Sequence, residues 1–63
     1  MSRGKVKWYD VIKGFGFIEK EDGKSIFVHR AGLQNPVIGL VDGQEVAFEI
    51  RPGARGDVAY NVK

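Results

Sequence analysis

The sequence predicts an all-β fold, a small closed barrel of five strands, from three observations. Apolar residues recur at every second position in short runs, as in Val46, Phe48 and Ile50, the period of a strand with one buried face. No window carries the 3.6-residue period of an amphipathic helix. A long segment from Arg30 to Gly43 follows the third run and holds Asn35-Pro36, Gly39 and Asp42-Gly43, all chain breakers.

Taken in order, Lys5 to Tyr9 is the first strand, with imperfect alternation because Val6 and Trp8 share a parity. One of Trp8 and Tyr9 must turn outward unless the strand is bulged. Phe15 to Lys20 is the second strand and Ser25 to His29 the third. Glu21-Asp22-Gly23 joins them as a tight turn, since Asp-Gly tolerates the positive φ of hairpin turns. Gln44 to Arg51 is the cleanest strand, with Glu45, Glu49 and Arg51 opposite its apolar side. Pro52 to Asp57 is expected to form a turn or open loop, and Val58 to Val62 the last strand. Five short strands with a long connection after the third suit a five-stranded antiparallel Greek-key barrel of the OB-fold type, which buries its edges by closing on itself. The expected interior is Val6, Ile18, Ile26, Val28, Leu33, Val46, Phe48, Ile50 and Val62.

Sixty-three residues make one domain, residues 1–63, with a single small core. The absence of cysteine and the presence of one histidine exclude a disulfide framework and a cysteine or histidine zinc site. No apolar run reaches membrane-spanning length, and Met1-Ser2-Arg3-Gly4-Lys5 has no apolar stretch behind it to act as a signal peptide. The expectation is a cytoplasmic monomer with no membrane, no small-molecule substrate, no cofactor and no metal. Net charge is +2, but it is unevenly spread. Arg3, Lys5, Lys7 and Lys13 face only Asp10 within residues 3–13, whereas Asp42, Glu45 and Glu49 stand without a cation in 42–49. A basic side of this kind attracts a polyanion.

Two runs carry the chemistry. In Lys13-Gly14-Phe15-Gly16-Phe17-Ile18 the two phenylalanines lie two residues apart, and Ile26-Phe27-Val28-His29 repeats the spacing with Phe27 and His29. The intervening aliphatics claim the interior, which sends the rings outward, and no helix is available to cover them. Gly14 and Gly16 fit either a tight strand bend or room for a base to lie flat. Exposed rings beside Lys7, Lys13, Arg30 and Arg55, with Trp8 and Tyr9 in the basic first strand, form a platform for single-stranded RNA or DNA. Using the same patch as an anchor for a protein is the alternative. His29 has no acid or nucleophile to pair with, so no enzyme is expected. Arg55-Gly56-Asp57 matches the integrin-recognition tripeptide by chance, at a flexible turn. Lys13 to Ile18 also fits the first ribonucleoprotein signature of RNA-recognition-motif domains, but that fold needs two helices absent here.

With these motifs in place, the chain resembles bacterial cold shock proteins, single-domain members of the cold shock domain family. The resemblance runs through Gly4-Lys5-Val6-Lys7-Trp8-Tyr9, Lys13 to Ile18, Ile26 to His29, Gly43 to Glu49 and Ala59-Tyr60-Asn61-Val62. It implies a barrel that binds single-stranded RNA or DNA with little sequence preference, tilted toward pyrimidines, and acts as a chaperone that keeps RNA unstructured. By position, the binding residues are Lys7, Trp8, Lys13, Phe15, Phe17, Phe27, His29 and Arg55. The chain departs from the family in three places. Asp10 stands where asparagine is frequent, adding a negative charge near the strand path. Arg30 stands where an aromatic is common and is expected to stack its guanidinium on a base. Pro36-Val37-Ile38-Gly39 lacks a ring that many relatives carry.

Overall fold

The computed structural model describes all residues from Met1 to Lys63. Its strands are β1 (Ser2–Asp10), β2 (Phe15–Lys20), β3 (Ser25–His29), β4 (Glu45–Gly53) and β5 (Gly56–Tyr60), with one 3-10 turn at Arg30–Gly32 after β3. The bounds of β2 and β3 are those expected. Their turn is held by Asp22, whose Oδ1 accepts from the Lys24 amide at 2.9 Å, and by Gly23 at φ 86°.

The other three strands differ: β1 starts three residues earlier than expected and ends one later, at Asp10. β4 runs on through Pro52 to Gly53 and β5 starts at Gly56, so the turn or open loop expected over Pro52 to Asp57 is a turn of only Ala54 and Arg55. Pro52 sits on a two-stranded ribbon beyond the reach of β1, where proline is tolerated. β5 also ends earlier than expected, because Asn61 takes a left-handed φ of 51°. Asparagine adopts that conformation more readily than other side-chain-bearing residues. The kink reverses the alternation, and Val62 turns inward to bridge Leu33.

The barrel closes in the order β1-β2-β3-β5-β4. Four contacts are antiparallel, while β3 and β5 pair in parallel. An odd number of strands cannot alternate direction all the way around a ring, so one parallel pair is obligatory. The segment 30–44 makes it possible by returning the chain for β4.

Ten side chains fill the interior: Val6, Ile18, Ile26, Val28, Leu33, Leu40, Val46, Phe48, Ala59 and Val62. Ile50, expected among them, is instead 40% exposed. β1 ends opposite Phe48 with Ser2, so two residues later no strand remains to cover that side of β4. Leu40 was hidden from the sequence because it lies in the breaker-rich segment without strand periodicity, and Ala59 because its side chain is small. Neither carries a signal of its own.

Phe48 is the only ring that is fully buried. Its truncation leaves a cavity that a core this small cannot refill. Phe48→Ala is expected to lose about 3–5 kcal/mol of stability, most of what a domain of this size has, whereas Ile50→Ala should lose about 1 kcal/mol or less. Urea unfolding of the two variants measures the contrast, and equal losses would contradict the placement of Ile50 at the open mouth.

Candidate nucleic-acid interface

The outward face of the sheet is set by a slip in register. Val6 lies opposite Ile18, yet Trp8 lies opposite Phe17, so β1 gains one residue, Lys7, over β2. This bulge resolves the shared parity of Val6 and Trp8. Val6 points into the core while Trp8, 41% exposed, points out. From Trp8 the row continues through Phe17 to Phe27, and in the next row Phe15 faces His29.

Gly16 allows the two strands to approach this closely. A Cβ there would collide with the Trp8 carbonyl oxygen and sit 2.7 Å from the Tyr9 Cα. Gly16 is itself buried and alternates with Phe15 and Phe17, so its missing side chain makes room for β1 and not for a base on the outer face. Of the two roles open to it from sequence, the close turn of the barrel is the one observed.

Trp8, Phe15, Phe17 and Phe27 form a closed circuit in which each ring meets two others. Trp8 lies 5.6 Å from both Phe15 and Phe17, Phe15 lies 6.0 Å from Phe27, and Phe17 lies 5.7 Å from Phe27. The tilts are 72°, 55°, 27° and 74° respectively, spanning edge-to-face and offset-stacked arrangements that aromatic quadrupoles favour. The phenylalanines are half-buried, not bare, because they cover one another. No interior atom of the barrel needs them.

His29 is exposed at the end of β3, and its Nδ1 accepts the Ala31 amide at 3.1 Å as it caps the 3-10 turn. Nε2 is thereby left as the outward donor. Lys7, released outward by the bulge, donates from Nζ to Ser25 Oγ at 3.2 Å. The ion pairs of the molecule are Lys20–Asp22 and Glu49–Arg51, so Lys7, Lys13 and Arg55 have no carboxylate partner. Arg55 lines a groove of about 530 Å³ between the β4–β5 ribbon, which contributes Asp57 and Val58 as well, and the rings of Phe17 and Phe27. Val58 was not anticipated there. Its place follows from the pairing of β5 with Phe27, which no local pattern announces.

Two expected site residues lie elsewhere. Tyr9 packs half-buried against the core, its ring beside Gly39. Arg30 does not lie over the rings; its Nη2 donates to the carbonyls of Val11 at 3.1 Å and Ile12 at 3.2 Å. Asp10 holds the same loop from the other end. Its Oδ1 accepts from the amides of Ile12 at 2.9 Å and Lys13 at 3.0 Å, and Gly14, at φ 80°, returns its amide to the Asp10 carbonyl at 2.7 Å. The carboxylate is thus engaged as a turn acceptor. The Lys13 amide above all holds its pKa below the ordinary 3.8, with help from the Ile12 amide and the Lys13 charge, against a smaller opposing effect of desolvation.

A depressed carboxylate pKa adds stability that is present above the unfolded value and fades as pH falls through the folded one. Asp10→Asn keeps the acceptor without the titration. The variant should therefore lose less stability than the parent when acidified below about pH 4. Thermal unfolding across that range checks it, and parallel acid slopes would show that Asp10 does not hold the loop through its charge.

Comparison with known proteins places the chain. The family described as 'Cold-shock' DNA-binding domain matches residues 2–63. The chain is 47% identical over 64 residues to "Cold shock protein CspC" of Bacillus subtilis (strain 168), covering 100% of this chain and 97% of that protein. It is 52% identical over 63 residues to "Cold shock protein CspB" of Geobacillus stearothermophilus, covering 98% and 96%. With "Major cold shock protein" of Streptococcus pyogenes serotype M18 the identity is 44% over 63 residues, covering 98% and 94%.

Proposed function

The chain belongs to the cold-shock domain family and binds nucleic acid, and from that premise we propose that it acts on single strands of RNA or DNA, with low sequence specificity, as a passive chaperone that keeps RNA unstructured. It would do so as a monomer in the cytoplasm, by binding alone. The observation that carries the proposal is the four-ring circuit on the outer face of β1–β3. A nucleobase stacked on such a ring is worth about 1–3 kcal/mol by alanine substitution, whichever base it is. Three or four stacks supply most of the roughly 8–12 kcal/mol of a micromolar to nanomolar complex. Because the rings already pack on one another, little side-chain freedom is lost when a base arrives.

Arg55 lines the groove beside Phe17 and Phe27, and Lys7, Lys13 and Arg55 form no ion pair, which suits all three to phosphates. His29 offers Nε2 to a base edge. Asp10 and Arg30 contribute by holding the loop that carries Lys13. A duplex hides its base faces, so the open strand is the preferred ligand. Binding only the open form shifts duplex melting by mass action, without nucleotide hydrolysis.

Trp8 is the only tryptophan and reports occupancy directly. A pyrimidine-rich single strand should quench its fluorescence strongly and its duplex little, with log affinity falling by about 0.7 per neutralised phosphate for each tenfold rise in salt. Phe15→Ala should weaken binding by about 1–3 kcal/mol while the folded spectrum is retained. Equal affinity for single strand and duplex, or salt-insensitive association with a protein alone, would overturn the proposal.

A further inference from the structure

We propose that Tyr60 and Arg51, on the β5–β4 side of the barrel, form an additional nucleobase-stacking subsite that receives the same single strand one step beyond Phe27 and His29. It rests on the reading that the aromatic face holds such a strand.

The parallel pairing carries the face onward. Phe27 lies beside Val58 and Val28 beside Ala59, and both Val28 and Ala59 are fully buried. Their neighbours on each strand therefore face outward, and continuing the register sets Tyr60 next to His29 on strands about 4.8 Å apart. Closure of the barrel removes any edge between them. The left-handed turn at Asn61 lets Val62 enter the core while Tyr60 stays outside.

The ring does not stand alone. The Arg51 guanidinium carbon lies 4.9 Å from the Tyr60 centroid, within cation–π range. Arg51 Nη2 lies 3.6 Å from Glu49 Oε1, and Glu49 Oε2 accepts from Asn61 Nδ2 at 2.7 Å. Glu49 therefore offsets the charge of Arg51 while helping to fix its position. The Arg51 side chain remains 56% exposed. A planar guanidinium, positioned on a ring and neutralised by a neighbour, presents a flat π surface and not a free cation. An uncharged base fits that surface better than a phosphate does.

The test follows Trp8 fluorescence on titration with oligothymidylates of four and eight nucleotides. Tyr60→Leu should weaken the eight-mer about tenfold and leave the four-mer within about twofold, since the shorter strand is satisfied by the four rings. Tyr60→Phe, which keeps the ring, should rescue the eight-mer. Arg51→Lys, which keeps the charge but not the plane, should weaken the eight-mer without changing its salt dependence. Phe27→Ala serves as the reference and should weaken both lengths. If Tyr60→Leu and Arg51→Lys leave the eight-mer unchanged, or weaken both lengths equally, while Phe27→Ala weakens both, the subsite is refuted and the aromatic face stands. If Phe27→Ala also changes nothing, it is the aromatic-face reading that fails.

Discussion

The interior of this five-stranded barrel holds ten apolar side chains, and only one of them, Phe48, is a ring. Everything else in the molecule follows from that limit. Strand alternation gives the inward positions to aliphatics; Tyr9 packs against the rim of the core, and Trp8, Phe15, Phe17 and Phe27 are left to the outer face. Interiors are packed as densely as organic crystals, so a second phenylalanine could not be admitted without displacing several neighbours. The binding face is thus the complement of the core.

Two local devices let the strands express this division. The bulge at Lys7 puts Val6 inside and Trp8 outside despite their shared parity, and it turns a lysine outward beside the rings. Gly16 brings β1 against β2 closely enough for Trp8 to touch both Phe15 and Phe17. Together they convert four separate aromatics into one contiguous surface. Exposed apolar surface of that kind is unfavourable for an isolated protein, and mutual edge packing of the rings reduces what is left to water. What remains uncovered is the surface proposed above to receive unpaired bases.

The loop between β1 and β2 shows how two charged side chains are put to use on backbone groups. Asp10 is spent on the amides of Ile12 and Lys13, and Arg30 on the carbonyls of Val11 and Ile12. A carboxylate and a guanidinium that the sequence set beside the ligand path as a repulsive charge and a stacking plane are both engaged with backbone. They brace the short loop that carries Lys13. The cation–π pair Tyr60–Arg51, by contrast, is held by side chains, with Glu49 against the Arg51 guanidinium.

Strand identity, the bounds of β2 and β3, the division of Phe15, Phe17 and Phe27 from Ile18, Ile26 and Val28, and the family itself were legible in the sequence, because each rests on period-two alternation or on a contiguous motif. The burial of Leu40, the exposure of Ile50, the inward turn of Tyr9 and the withdrawal of Arg30 were not. Those depend on where one strand outlasts its neighbour, on which loop lies over a ring, and on which carbonyls come within reach. In-and-out alternation is a local property of an extended backbone, and the order of residues alone carries it through β2 and β3. How the strands meet belongs to the assembled barrel: the slip at Lys7, the parallel pairing of β3 with β5, and hence which outward residues become neighbours. Register between distant segments is a matter of packing and closure, and no local pattern encodes it.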